Sequence, residues 1–189
     1  MIEINHHIPV MLEEIKNNIP KTKKLNIIDA TFGGGGYSKE ILKTFNVNYL
    51  IGIDRDPISK EFAKKIRNKF KNFEFINGCF SKIDELVQRN KKLKDNLFDI
   101  IIFDLGVSSN QVDNPSRGFS FTKNGPLNMS MGSSKIIASD VVNNYSEKKL
   151  ADIFYNFGEE RFAKKIARNI VISRKDKLFE NTLELSNLI

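Results

Sequence analysis

Short apolar runs alternate with longer segments of helical periodicity between Leu25 and Asp104. Four of the runs predict buried strands, at 25–29, 49–54, 73–76 and 98–104. The segments between them have a helical pattern at about 37–45, 57–70 and 81–92. Strands that alternate with helices are typical of βαβ units, so the pattern predicts an α/β fold with a parallel sheet.

The strand predicted at 98–104 holds four successive apolar residues, from Ile100 to Phe103. Such a run indicates that both faces of the strand are covered, as in a central strand of a parallel sheet. No clear strand follows it before Ile189. The sequence therefore predicts a parallel sheet that is incomplete within this chain.

The pattern changes after Asp104. Residues 105–135 are rich in Gly, Ser, Asn and Pro and have no helical period, which predicts a long loop. Loops of this length in a compact domain are usually functional. Helices are predicted after it at about 146–157, 159–174 and 181–189, with Thr182 offering capping chemistry at the start of the last one.

Composition excludes several classes of protein. With 40% hydrophobic and 28% charged residues, the 189-residue chain can bury a core. One cysteine, Cys79, excludes an internal disulfide and a cysteine-cluster zinc site, and is typical of a reduced cytoplasm. No apolar run approaches the roughly 18 residues of a membrane span, and the N-terminus does not have a signal-peptide pattern. We expect a cytoplasmic protein without a membrane segment or a metal.

The net charge of +7 and the pI of about 9.4 favour a polyanionic partner. The richness of the whole chain in Lys, Ile and Asn explains the surplus of positive charge equally well. The predicted helix at 159–174 carries the more specific signal, because its two faces differ. Its apolar stripe comprises Phe162, Ala163, Ile166, Ala167 and Ile170, and its basic face comprises Arg161, Lys164, Lys165 and Arg168. The basic face is interpreted either as a contact for RNA phosphates or as an ordinary solvated surface.

The stretch "SRGFSF" places a cation and two aromatic rings on one side of a segment expected to be extended. Arg117, Phe119 and Phe121 alternate with small residues there. Such side chains can stack an RNA base that has left its helix. The alternative interpretation is that they anchor the loop in the core.

Residues 29–36 read "DATFGGGG", directly behind the first predicted strand. A glycine turn between a strand and a helix lets the backbone approach a ligand closely. A dinucleotide site requires G-x-G-x-x-G; Gly33 and Gly35 match, and Ser38 stands where the third glycine belongs. A nicotinamide-dependent oxidoreductase is therefore disfavoured. S-adenosylmethionine (SAM), which has no pyrophosphate, needs only a tight turn free of side chains.

Two carboxylates are predicted at the same edge of the sheet. Asp54, 21 residues after Gly33 and at the end of the second strand, suits the two hydroxyls of a ribose. Asp104 ends the fourth strand and enters the same crevice. It is expected either to contact the cofactor or to accept a hydrogen bond from an amine that is being methylated.

Four blocks together resemble the RsmH/MraW family of bacterial methyltransferases. They are "DATFGGGGYS", "GIDRDP", "DLGVSSNQVDNPSRGFSFTKNGPLNMSM" and "YNFGEERFAKKIARNIV", and the likeness runs from "HIPVML" to "NTLELSNLI". The resemblance implies a Rossmann-like SAM-dependent fold with a helical inserted subdomain. It also implies N4-methylation of a cytosine of 16S ribosomal RNA at the decoding centre. The partner would be that RNA or the small ribosomal subunit, and a homodimer stays open.

The resemblance also assigns roles to residues and regions. It implies that Gly35, Gly36 and Tyr37 line the methionine part of SAM and that Asp54 holds the ribose. Phe80 would pack beside the adenine, and Asp104 and Gln111 would complete the pocket, with Asp104 as the catalytic candidate. The expected organisation is a SAM-binding half at 1–110, a substrate or active-site loop at 111–135 and a helical substrate-recognition subdomain at 136–189.

The chain departs from the family pattern in three ways. Tyr37 stands where the family usually has His. The family's Asp-Gly-Pro-Leu-Asp-Met-Arg-Met-Asp is replaced at 124–132 by "NGPLNMSMG", so that three acids and one arginine are absent. The family sequence also continues beyond this point. These departures support an alternative function, a truncated non-catalytic relative that binds RNA or SAM without turnover.

Overall fold

A four-stranded parallel sheet forms the centre of the first of two compact units, Met1–Ser108 and Ser109–Ile189. The computed structural model describes residues 9–90, 97–132 and 134–189. The strands are β1 (Leu25–Asp29), β2 (Val47–Asp54), β3 (Phe73–Asn77) and β4 (Ile100–Ile102), in the order β3-β2-β1-β4. All three pairings are parallel, which confirms the α/β prediction.

Helices cover both faces of this sheet. The first unit contains α1 (Leu12–Asn18), α2 (Gly36–Thr44), α3 (Ser59–Lys69) and α4 (Ile83–Arg89). One face packs against α2 and α3, around Ile27, Leu50 and Phe62. The other face packs Ile28, Ile51 and Ile53 beneath α4. Residues 91 and 92 of the helix predicted at 81–92 lie outside the described residues.

β4 ends the sheet within the described residues, as the predicted incomplete sheet implies, but the prediction that both of its faces are covered is wrong. β4 pairs with β1 alone, so it lies at an edge of the sheet. Ile102 is buried, whereas Ile101 is 48% exposed and Phe103, just beyond the strand, is 49% exposed. Its apolar run therefore does not have both faces covered.

Helices α5 to α9 form the second unit: Ser109–Asp113, Ala138–Asn144, Glu147–Gly158, Ala163–Ser173 and Thr182–Leu188. Its core is built around Leu127, Val142, Leu150, Ala167 and Ile170. Leu127 comes from the segment after Arg117, and its N–H bonds to the carbonyl of Glu180 at 2.9 Å. The segment from 124 to 132 is therefore anchored in the helical core.

Several local predictions for the second unit are wrong. The loop predicted at 105–135 contains α5 and a 3₁₀ turn at Pro115–Arg117, because Asn114 Oδ1 accepts the Ser116 N–H and Pro115 presets the backbone. Arg117 therefore does not lie in an extended stretch. Asn181, not Thr182, caps α9 by accepting the Glu184 N–H. The Thr182 hydroxyl donates to the Lys123 carbonyl instead.

The start and the apolar stripe of α8 also differ from the prediction. The helix begins at Ala163 rather than at 159, because the backbone at Glu159 adopts a left-handed conformation with φ of 51°. Ala163, Ala167 and Ile170 are buried as expected. Phe162 is 68% exposed, so its assignment to the buried stripe is wrong.

Candidate active site

The order of the strands places a crevice at the carboxyl end of β1. The chain proceeds outward from β1 to β2 and β3, and then returns to the other side of β1 as β4. Helices that follow strands on opposite sides of such a reversal leave a gap between their ends. Ligands of open α/β sheets bind in this gap, and the residues after each of the four strands are therefore the candidates for a site.

The glycine turn after β1 is joined to the end of β2. The Gly33 N–H donates to Oδ2 of Asp54 at 2.6 Å, and the Asp56 N–H donates to Oδ1 of Asp54 at 2.8 Å. The carboxylate is half-buried and each oxygen retains a further lone pair. Asp54 is thus oriented by the backbone on both sides while it can still accept hydroxyl groups from a ligand.

Gly35 is required by its backbone conformation and by its neighbours. Its φ is +78°, in the left-handed region that favours glycine. A Cβ at this position would lie 2.7 Å from the Phe32 ring and 2.6 Å from Ile66 Cδ1. α2 begins at the next residue, Gly36, so the free N–H groups of its first turn follow directly.

Asp29 lies beneath this turn and is completely buried. Its Oδ2 accepts a hydrogen bond from the Ser38 hydroxyl at 2.7 Å, which ties the end of β1 to the first turn of α2. Its Oδ1 has no hydrogen-bond partner among the described residues. Burial raises the pKa of Asp29 to about 6, against the opposing effect of the Ser38 hydrogen bond.

Tyr37 is buried, with 6% of its surface exposed. Its hydroxyl donates to the backbone carbonyl of Val10, which holds the segment before α1 against α2. Burial, together with the carboxylates of Asp104 and Asp29, raises the pKa of Tyr37. The tyrosine therefore stands close to the two acids at the carboxyl ends of β1 and β4.

Asp104 follows β4 with its side chain exposed to solvent. Its N–H donates to the Thr31 hydroxyl oxygen at 2.7 Å, so the backbone beyond β4 is fixed to the turn beyond β1. The structure thus brings Asp54 and Asp104 to one edge of the sheet, as the strand ends predicted, and Asp29 at the end of β1 lies at the same edge.

Phe80 follows β3 and is 37% exposed. Its ring contacts the ring of Phe103, with centroids 5.6 Å apart and planes at 82°. From the sequence alone, Phe103 is only one of the apolar residues of a strand expected to be covered. Its exposure is the signal of a further role, and the sequence alone does not contain that signal.

The residues at this edge fit a nucleoside that carries a positive charge. Asp54 offers carboxylate oxygens for ribose hydroxyls, and exposed aromatic rings offer a surface for a base. Asp104 and Asp29 make the surroundings negative. The exposed backbone at Gly34 leaves the turn open to a ligand. This set of groups suits S-adenosylmethionine, which is cationic at sulfur and has no pyrophosphate.

A cavity of about 380 Å³ lies in the first unit between α1 and β4, and Phe103 borders it. Ile15, Ile19 and Ile101 are among its lining residues, whereas Asp54 and the glycines of the turn are not. We therefore base the site on the hydrogen-bonded groups at the carboxyl edge rather than on cavity size.

The remaining candidate residues belong to the second unit. Gln111 is buried in α5. Arg117 donates to the Ser130 carbonyl at 2.8 Å, and its guanidinium lies 5.9 Å from the centre of the Phe119 ring. Phe121 is 77% exposed. The structure thus supports the anchoring interpretation for Arg117 and leaves Phe121 open to solvent.

The four predicted basic residues of α8 and its approach, Arg161, Lys164, Lys165 and Arg168, are all exposed. None of them forms an ion pair with another of the described residues. Three aromatic rings close to these residues in sequence are also exposed. They belong to Tyr155, Phe157 and Phe162, and the sequence pattern did not mark them as a site. The end of α7 and the start of α8 therefore combine exposed basic side chains with exposed aromatic rings, while the turn between them also holds Glu159 and Glu160.

Within residues 9–90, 97–132 and 134–189, no group of three or more His, Cys, Asp or Glu side chains is arranged to hold a metal ion. No helix there is long and apolar enough to cross a membrane.

Comparison with known proteins shows what the chain is similar to. Residues 4–189 match the MraW methylase family. A ribosomal RNA small subunit methyltransferase H from Caldicellulosiruptor saccharolyticus is 45% identical over 185 residues, covering 97% of this chain and 59% of the relative. The protein of the same name from Caldicellulosiruptor bescii is 46% identical over the same shares. That from Rickettsia massiliae is 40% identical over 187 residues, 98% of this chain and 59% of the relative. The chain thus spans 59% of the length of these relatives.

Proposed function

The chain belongs to the MraW methylase family, and we propose that it methylates the exocyclic N4 of a cytosine in 16S ribosomal RNA, at the decoding centre, with S-adenosylmethionine as donor. The single observation that carries the proposal is the bond from the Gly33 N–H to Asp54 Oδ2, at 2.6 Å. It joins a turn without side chains to a carboxylate placed for a ribose. The names of the relatives support the class of substrate.

Residues of the first unit would hold the donor. Asp54 accepts the ribose hydroxyls, Phe80 packs beside the adenine, and Gly35 and Gly36 border the methionine part. Tyr37 supports this part from beneath, because its buried ring fixes α2 to the segment at Val10. For Gln111, which lies in the second unit, the family resemblance alone implies a cofactor-binding role. When bound, S-adenosylmethionine supplies a methyl group that is already activated by its sulfonium.

Asp104 is the proposed catalytic residue. A cytosine amino group is a poor nucleophile, because its lone pair is delocalised into the ring. A carboxylate that accepts a hydrogen bond from this N–H increases the electron density on nitrogen and can take the proton that methylation releases. The hydrogen bond from the Asp104 N–H to the Thr31 hydroxyl fixes the backbone that carries this carboxylate relative to the glycine turn.

The second unit would bind the RNA. Arg161, Lys164, Lys165 and Arg168 offer positive charge for phosphates, each contact adding affinity that weakens with salt. Phe121 and the exposed rings of Tyr155, Phe157 and Phe162 offer surfaces on which unpaired bases can stack. Arg117 and Phe119 would support this surface by fixing the preceding turn. A base must leave its stack before N4 is accessible, which makes such surfaces useful to this reaction.

One observation favours the alternative, a relative that binds SAM or RNA without turnover. In the segment 124–132 the polar side chains bond to the segment itself. Asn128 Oδ1 accepts the Ser130 N–H at 2.9 Å, and the Ser130 hydroxyl donates to the Gly132 carbonyl at 2.8 Å. These are two of the positions where the family has an acid or an arginine. A loop whose polar groups are already satisfied offers fewer groups to a substrate.

The test is methyl transfer by the chain as it stands. Purified protein is incubated with methyl-labelled SAM and small ribosomal subunits that lack the modification, and the labelled nucleoside is identified by mass spectrometry. We expect N4-methylcytidine at one position of 16S RNA, and a rate about 100-fold lower for Asp104→Asn. Asp84→Asn, an exposed acid on α4, is the matched control and keeps the wild-type rate.

Two negative results have different meanings. Binding of SAM and RNA without any labelled RNA would favour the non-catalytic alternative. Absence of SAM binding by folded protein would contradict the methyltransferase function, and absence of both SAM and RNA binding would contradict the alternative as well.

A further inference from the structure

Phe80 and Phe103 form an aromatic corner at the carboxyl edge of the sheet. Their ring centroids are 5.6 Å apart and their planes meet at 82°. Both side chains remain partly exposed, at 37% and 49%. Two large apolar rings that contact each other without being covered leave their outer faces available to a third flat group.

The corner extends across the crevice rather than along one side of it. Phe80 follows β3 and Phe103 follows β4, and these are the two outermost strands of the sheet, with β1 and β2 between them. Strands separated by two others lie about 14 Å apart at the usual spacing. The ring contact therefore bridges the ends of β1 and β2, from which Gly33 and Asp54 emerge.

Backbone hydrogen bonds fix both rings relative to these two residues. The Gly78 N–H, two residues before Phe80, donates to the Asp54 carbonyl at 2.9 Å. On the other side, the N–H of Asp104, directly after Phe103, donates to the Thr31 hydroxyl at 2.7 Å. Each ring is thus tied to one of the two turns that the Gly33 and Asp54 hydrogen bond joins.

We propose that Phe103 is the second wall of an adenine-binding corner, with Phe80 as the first, and that it contributes to selection of an adenine nucleoside. The inference rests on the proposed function, because it assumes that the ribose is held at Asp54. Two perpendicular rings can hold a planar base, which stacks on one ring while its edge meets the other. The arrangement selects a flat aromatic group over a flexible or aliphatic one.

A second aromatic pair in the same sheet provides a matched control. Tyr49 and Phe98 also have ring centroids 5.6 Å apart, with planes at 88°. Phe98 precedes β4, so this pair lies near the amino end of the strand and away from the crevice. Replacement of Phe98 removes an equivalent ring contact and leaves the carboxyl edge unchanged.

The experiment measures the affinity for S-adenosylhomocysteine by titration calorimetry, together with the thermal midpoint of each variant. Phe103→Leu retains apolar volume but removes the flat ring, and we expect about threefold to tenfold weaker binding. Phe103→Tyr retains the ring and should bind as the wild type does. Phe98→Leu should lower the thermal midpoint without changing the dissociation constant.

Each result decides the role of Phe103. Unchanged affinity in Phe103→Leu would overturn the inference while the wild-type titration still supports the donor site. Equal losses in Phe98→Leu would also overturn it, because the effect would then be one of general stability. No binding by folded wild-type protein would instead contradict the proposed function itself.

Discussion

Gly33 and Asp54 are separated by 21 positions in sequence, yet the N–H of one lies 2.6 Å from Oδ2 of the other. This bond crosses from the turn after β1 to the last residue of β2. The turn and the ribose-binding candidate are therefore a single hydrogen-bonded unit. A change at either residue is expected to affect ligand binding through the other.

Asp54→Asn should weaken binding of S-adenosylhomocysteine by about tenfold to a hundredfold, since hydrogen bonds to a charged acceptor contribute about 1.5–3 kcal/mol. The asparagine retains the size of the side chain but loses the charge and one acceptor. Calorimetric titration measures the change.

Asp99→Asn is the matched control for this substitution. Asp99 Oδ2 accepts the Asn26 N–H at 2.8 Å, a similar bond near the amino end of the sheet. Its replacement should reduce stability without changing affinity. Similar losses of affinity in the two variants would argue against a ligand role for Asp54.

Gly35→Ala should destabilise the first unit more than Gly33→Ala. Both glycines have positive φ, so each substitution costs about 1 kcal/mol of backbone strain. Only at Gly35 would the new methyl group also collide, with the Phe32 ring and Ile66 Cδ1, whereas at Gly33 the nearest atom is 3.8 Å away. Urea unfolding measures the difference, and Gly158→Ala, which introduces a methyl group into open space, is the control. Equal effects at Gly33 and Gly35 would contradict the packing described for the turn.

The buried carboxyl of Asp29 should make stability fall as pH rises. Its pKa is about 6 in the folded protein and 3.8 when unperturbed, so between these values the folded state binds a proton that the unfolded chain releases. Stability from this group is therefore complete below pH 4 and is lost as pH rises to about 6. The difference between the two pKa values corresponds to about 3 kcal/mol in the free energy of unfolding.

The measurement for Asp29 is the free energy of urea unfolding between pH 4 and pH 7. Asp29→Asn removes the titrating group. The difference in the free energy of unfolding between wild type and variant should therefore change across this pH range and then level off. Ser38→Ala removes a hydrogen bond that lowers the pKa of Asp29. In this variant the loss of stability should therefore occur at higher pH. Parallel profiles for wild type and Asp29→Asn would rule out this effect of burial.

The basic residues of α8 should control the salt dependence of RNA binding. In a double variant, Lys164→Gln with Lys165→Gln, the slope of log affinity against log salt should decrease by about 0.7 for each lost phosphate contact. Fluorescence anisotropy with a labelled single-stranded RNA measures the slope. The control is Lys60→Gln with Lys69→Gln, which removes two exposed charges from α3. A reduction of the same size in both double variants would indicate an effect of net charge alone.

Much of the sheet could be predicted because its strands are short apolar runs bounded by turn residues. β1 was predicted at its observed limits, Leu25–Asp29, and the acids at the ends of β2 and β4 could be placed at one edge from strand direction alone. The absence of a further predicted strand agrees with the position of β4 at the edge, but the exposure of Ile101 could not be predicted. An apolar run such as Ile100 to Ile102 indicates burial, whereas the covering of each face depends on tertiary packing.

The errors in the second unit have local causes. The sequence before Gln111 has no strong helical period. Because α5 is only 5 residues long, it is too short to show a helical pattern of apolar residues. Phe162 fits the apolar period of α8, yet the left-handed backbone at Glu159 starts the helix after it and leaves the ring in solvent. The aromatic contact between Phe80 and Phe103 joins residues 23 positions apart in sequence and depends on how two strand ends approach each other.

The edge of β4 that faces away from β1 favours self-association of the protein. A short strand with one neighbour among the described residues presents amide and carbonyl groups along its other side, and Ile101 beside them is uncharged and exposed. Backbone groups of this kind accept a strand from another molecule, which is how soluble proteins begin to aggregate. Self-association should therefore rise with protein concentration, and Ile101→Lys, by adding a charge there, should reduce it in light-scattering measurements.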